Sequence, residues 1–129
     1  LDLDFFKKVN DTYGHQAGDQ VLIEVTQRIN EIARVTDCLA RYGGEEFAII
    51  LPETDTSGGL IFANRVRELI EKTPVHYGEH VIALTASLGL SEYYEGLESH
   101  DVLLDQSDKA LYEAKKQGRN RVVCYLPDM

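Results

Sequence analysis

Apolar positions along this chain recur with two spacings, and the switch between them divides the sequence into short alternating elements. Val21, Leu22, Val25, Ile29 and Ile32 repeat every three to four residues. That spacing gives one apolar face to a helix opened by Gly18-Asp19, with Asp19 as its N-cap, and running to about Val35. Leu60 to Lys72 carries a second such face and ends ahead of Pro74, which disfavours helix in the residue before it. A third helix begins at Ser99 or His100, runs to Gln117 and stops at Gly118; a short one over Phe5 to Thr12 closes at Gly14. Between the helices the period drops to two. Leu1 to Asp4 alternates as the end of a strand, and Cys38 to Tyr42 with Phe47 to Leu51 flank Gly43-Gly44 as a hairpin with a tight turn. Pro52 and the run Thr54 to Gly59 read as a loop. Val75 to Tyr77 and His80 to Leu90 read as strands around Gly78-Glu79, and Arg121 to Tyr125 as the last strand. The order predicts an α+β or α/β sandwich, with helices packed on a central mixed sheet.

Size and charge narrow the function. With 129 residues and 43% hydrophobic content, the chain reads as one domain that buries roughly two-thirds of the surface its unfolded form exposes. No apolar run is long enough for a bilayer span and no leader pattern is present, so the domain reads as cytoplasmic. Cys38 and Cys124 stand singly in apolar strand patterns, which predicts small buried hydrophobes and neither a disulfide nor a zinc site. A net charge of −9 argues against a nucleic-acid polymer as partner, because such binding needs a basic surface. A small anion remains compatible if metal ions or a few convergent Lys and Arg side chains supply local positive charge.

The chemistry concentrates at Arg41 to Leu51. Two glycines let a backbone approach a ligand closely, and Glu45 and Glu46 follow at once. Adjacent carboxylates suit a hard cation with oxygen ligands, the kind that bridges nucleotide phosphates. The alternative is a charged surface turn that binds nothing.

Gly43 to Phe47, GGEEF, resembles the signature of the GGDEF family of diguanylate cyclases. The resemblance extends to LDLDFFKKVNDTYGHQAGD at Leu1 to Asp19, TASLG at Thr85 to Gly89 and DKALYEAKKQGRNRV at Asp108 to Val122, nearly the whole chain. It implies the palm-like fold of nucleotidyl cyclases and the condensation of two GTP into cyclic di-GMP. It implies that Asp2, the Leu3 carbonyl and Glu45 hold Mg2+ or Mn2+, with Glu46 assisting the metal or the hydroxyl. Asn10 and Asp19 correspond to the residues that read guanine, although helix-end and capping roles compete for them. Lys7, Lys115 and Arg119 correspond to phosphate contacts, and Phe5, Phe6, Gly43 and Gly44 to the lining of the substrate site. Arg34 and Asp37 resemble the RxxD motif that binds inhibitory product, supported by Arg65, with a helix-end salt bridge as the plain alternative. Phe47 is expected in the core and His15 as a structural hydrogen-bonder.

The resemblance further implies that turnover needs a homodimer. It implies a leading helix and strand start before Leu1, and a regulatory domain N-terminal to the module in a parent that membrane attachment could anchor. Two rivals stand beside the cyclase: a catalytically silent domain acting as a cyclic di-GMP receptor or GTP-sensing module, and a cyclase of different base specificity.

Overall fold

The computed structural model describes residues 1–129. Its elements are β1 (Asp2–Leu3), α1 (Phe6–Tyr13), α2 (His15–Ile32), β2 (Cys38–Arg41), β3 (Phe47–Ile50), α3 (Thr56–Lys72), β4 (Val75–Tyr77), β5 (His80–Ile82), β6 (Ala86–Leu90), α4 (His100–Lys116) and β7 (Val122–Cys124). β1 pairs antiparallel with β6, and β6 pairs parallel with β7. The β2–β3 hairpin joins this sheet at β1: Leu3 N–H donates to Glu45 O at 3.2 Å and Phe47 N–H to Leu1 O at 2.8 Å, around a bridge between Asp2 and Glu46. The strands therefore run β2-β3-β1-β6-β7, with the shortest strand at the centre; β4 and β5 form a separate hairpin. This is the mixed sheet with flanking helices that the spacing predicts.

Strand alternation sorts the two faces. Ala86 and Leu88 of β6 join Leu3, Phe47 and the apolar faces of α2 and α3 in the main core. Ser87 and Gly89 point the other way, toward α4. A Cβ on Gly89 would lie 2.1 Å from Ser107 O and 2.4 Å from Leu111 N, so only glycine lets α4 sit this close to the sheet. Phe47 is buried in the core as expected.

Several boundaries differ from the sequence expectation. α2 begins at His15, and Asp19 lies exposed inside the helix, so it is not the N-cap. Gly14, at φ 93°, ends α1 with its N–H on Asn10 O at 2.9 Å, and the chain re-enters helix at once, leaving no room for a loop before Gly18. α3 begins at Thr56, not Leu60: the Asp55 carboxylate accepts from Gly58 N–H at 2.8 Å, and that cap holds two glycines in helical form despite their low propensity. The run His80 to Leu90 is two strands because its halves pair with different partners, β5 with β4 and β6 with β1 and β7. Cys38 is exposed on the edge strand β2 and Cys124 is half-buried, so neither is the buried hydrophobe expected, although both are free thiols. Burial pushes the Cys124 thiol up.

Candidate active site

β1 is the hub of the site. Asp2 is 6% exposed, lies opposite Ser87 on one side and Glu46 on the other, and so faces α4. The Asp2–Glu46 bridge is the non-hydrogen-bonded kind, flanked by the two backbone bonds above, in which facing side chains come closest. From α4 the Lys115 ammonium donates to Asp2 Oδ2. Asp2 Oδ1 is buried with no hydrogen-bond partner. Leaving a buried carboxylate oxygen unmet is costly, and an oxygen-seeking cation is the guest that satisfies it. No three Asp, Glu, His or Cys side chains converge anywhere in the chain, so a cation here would draw on two carboxylates, a backbone carbonyl and oxygens from outside the protein. The residues present fit such an ion.

The glycine tip departs from a tight turn. Tyr42 N–H donates to Glu46 O at 2.8 Å, which leaves Gly43, Gly44 and Glu45 at the tip, and neither glycine takes a positive φ. Their use is space. A Cβ on Gly44 would meet nothing, whereas one on Gly43 would press to 3.3 Å from Glu46 Oε2. The Arg41 guanidinium folds over the tip and donates to the carbonyls of Gly43 and Gly44 at 3.2 and 3.1 Å. The Leu1 nitrogen donates to Phe47 O at 2.8 Å, which adds to the pairing of this edge with the hairpin.

Asn10 and Asp19 lie near each other because of Gly18, a residue the sequence pattern assigned elsewhere. A Cβ on Gly18 would fall 1.8 Å from Asn10 Oδ1 and 3.2 Å from Phe6 Cζ, so the Asn10 amide lies directly against α2, one residue from Asp19. Gly18 is thus the seat of Asn10 and not a helix opener. Lys7 is exposed on α1, and Phe6 is buried in the core while Phe5 is exposed. The Arg119 guanidinium lies 4.7 Å from the Phe5 ring centroid. His15 is exposed at the start of α2. Sequence reasoning missed Asp4 and Asn120; the alternation of LDLD marks Asp4 as facing the same way as Asp2, and that was the available signal.

Arg34 and Asp37 bond to each other. Arg34 N–H donates to Asp37 Oδ2 at 2.8 Å, and its guanidinium reaches Asp37 Oδ1 at 3.3 Å, Pro52 O at 3.0 Å and Thr54 Oγ1 at 2.6 Å. Arg65, on α3, is exposed and takes no part in this cluster. A cleft of about 620 Å3 lies between the hairpin and α4, and aliphatic residues such as Ile49, Leu51, Leu103 and Leu111 make it a poor seat for a triphosphate. A second, of about 530 Å3, runs beside α1 along Asp4, Phe5, Lys8 and Thr85.

A family model described as "Diguanylate cyclase, GGDEF domain" matches residues 1–121. The chain belongs to the GGDEF family. It is 48% identical over 122 residues to diguanylate cyclase A of Treponema denticola, covering 95% of this chain and 33% of that protein. It is 41% identical over 125 residues to the response regulator PleD of Caulobacter vibrioides, covering 95% of this chain and 28% of that one. This GGDEF chain therefore spans a third or less of those relatives. Among solved structures, the GGDEF domain of DgcB from Caulobacter crescentus in complex with c-di-GMP superposes with TM-score 0.89 at 38% identity, over 95% of this chain and 73% of that one. The active GGEEF domain of a diguanylate cyclase from Vibrio cholerae superposes with TM-score 0.88 at 33% identity, over 97% and 79%. Both expectations, the family and its fold, hold. No helix is long and apolar enough to cross a membrane.

Proposed function

We propose that this domain is a diguanylate cyclase that condenses two GTP into cyclic di-GMP. The observation that carries the proposal is the meeting of three sequence-distant groups at β1: Asp2 with one buried oxygen unmet, Glu46 across the bridge, and Lys115 from α4. A ribose 3′ oxygen forms a bond to an α-phosphorus as the bond to pyrophosphate breaks, and the hydroxyl proton leaves. Positioning and charge neutralisation supply most of such catalysis. Lys115 and Arg119 hold the phosphates, Lys7 adds positive charge from α1, and Asn10 with Asp19 orients guanine. Glu46 assists the metal or accepts the hydroxyl proton. Asp2, Glu45 and the Leu3 carbonyl would hold Mg2+ or Mn2+, which when bound neutralises triphosphate charge and acidifies the attacking hydroxyl. One domain holds one GTP, so both bonds form only when two copies face each other.

Product feedback belongs to the same proposal, with cyclic di-GMP binding Arg34 and Asp37, supported by Arg65. An arginine suits this ligand because it pairs phosphate bidentately and stacks on purines. The neighbour solved with c-di-GMP supports that class of ligand. A silent receptor is the second reading, favoured by the exposure of Arg34 whatever the state of the catalytic end. The deciding experiment is incubation of the purified protein with GTP and magnesium, with products separated by chromatography. Cyclic di-GMP and pyrophosphate support the cyclase; binding of cyclic di-GMP without turnover supports the receptor.

A further inference from the structure

One buried carboxylate has no part in the cyclase reading. Asp4, two residues beyond Asp2, is 5% exposed and has no cation on either oxygen. Its Oδ1 accepts from the Ser87 hydroxyl at 2.7 Å, and its Oδ2 accepts from the Thr85 hydroxyl at 2.7 Å and from the backbone N–H of Asn120 at 3.1 Å. A buried carboxylate is costly unless its lone pairs are met, and here three neutral donors meet them. The two hydroxyls tie β1 to residues of the neighbouring segment, a task that backbone bonds already perform. The third bond reaches elsewhere, to the turn between α4 and β7.

That turn needs a tie. Arg119 and Asn120 are consecutive non-glycine residues in the left-handed region, at φ 64° and 47°, where L side chains are disfavoured. Asn120 is gripped from the other side as well. Its Oδ1 accepts from Arg67 at 3.2 Å and its Nδ2 donates to Glu71, both on α3. Arg119 N–H closes α4 on Ala114 O at 3.0 Å. With its backbone held, Arg119 lays its guanidinium over Phe5, the residue that follows Asp4 and is itself left-handed at φ 56°. Asp4 is thus bonded to Asn120, the residue after Arg119, and covalently joined to Phe5, on which Arg119 rests.

We propose that Asp4 is a positioning residue that touches no substrate and fixes the direction from which Arg119 reaches the nucleotide phosphates. The proposal rests on the cyclase reading only in taking Arg119 as a phosphate contact. Its test is a double-variant cycle of Asp4→Asn and Arg119→Ala, read as GTP affinity by calorimetry with magnesium and as KM and kcat where product forms. Arg119→Ala is expected to weaken GTP on the order of tenfold, as loss of a charge-assisted phosphate bond does. Asp4→Asn should weaken it several-fold with kcat little changed, and the double variant should be no weaker than Arg119→Ala alone. Independent effects that multiply, or a lowered melting temperature with unchanged GTP affinity, would overturn the proposal and leave Asp4 a brace. If Asp4→Asn does not fold, Thr85→Val takes its place in the cycle, since it keeps the side-chain shape and removes the hydroxyl that orients the same Asp4 oxygen that accepts from Asn120 N–H; independence from Arg119 would again overturn the proposal. A wild-type protein that binds GTP and makes no product sinks the cyclase reading, while the affinity cycle still decides the role of Asp4.

Discussion

The two ends of this domain hold their charged groups in opposite ways. At β1, Asp2 and Asp4 are buried and bonded to partners far along the chain: Lys115 is 113 residues from Asp2, and Thr85, Ser87 and Asn120 are 81, 83 and 116 residues from Asp4. Just past α2, Arg34 is 57% exposed, and its guanidinium is shared among Asp37, three residues away, and Pro52 and Thr54, 18 and 20 residues away. The first arrangement exists only when the sheet is complete, so its geometry is as stable as the fold. The second lies at the surface on loop acceptors, and its exposed guanidinium can exchange them for other partners. That difference suits a rigid reacting centre and an exchangeable regulatory contact.

The comparison can be broken first where the expected effect is largest. Asp2→Ala should reduce turnover by at least about a hundredfold, since it removes a ligand of the proposed metal and the partner of Lys115. Product chromatography at saturating GTP checks it, and near wild-type rates would remove Asp2 from the reacting centre. Gly18→Ala comes next. Its Cβ has no room beside Asn10 Oδ1, so overpacking should cost about 1–3 kcal/mol of stability and also weaken GTP, measured by thermal melting and calorimetry. Unchanged melting would show that α1 yields there. Asp19→Ala should weaken GTP roughly tenfold or more and ATP far less, because a carboxylate that pairs with guanine donors has no such partner on adenine. Equal losses for the two nucleotides would undo the base-reading role. Arg34→Ala should be the mildest: the buried Asp37 carboxylate keeps its bond from the backbone N–H of residue 34, so stability changes by about 1 kcal/mol, while added cyclic di-GMP no longer slows the reaction. An inhibition curve identical to wild type would leave the pair as a helix-end salt bridge and nothing more.

Legibility in the sequence follows the same division. Helical periodicity marked α1 to α4, and the β-branched runs around Gly43-Gly44 marked the hairpin, because these signals lie within one element. The Asp2–Glu46 bridge, the Lys115 contact and the Asp4 network depend on which strands become neighbours, and no local pattern carries that. Gly18 and Asp19 show how a local rule can mislead. Gly-Asp reads as a helix start, yet Gly14 had already restarted the helix, and Gly18 is needed for the close approach of Asn10. Thr56 to Gly59 failed for the reverse reason, since one cap at Asp55 outweighed the low propensity of two glycines. Cys38 reads as core because its strand is apolar, but β2 is the sheet edge and exposes it.

The most direct test of the central claim is the rate of cyclic di-GMP formation from GTP and magnesium across a range of protein concentrations. The account predicts product that rises more steeply than linearly with protein until dimers saturate. GTP binding with no cyclic di-GMP at any concentration would contradict it.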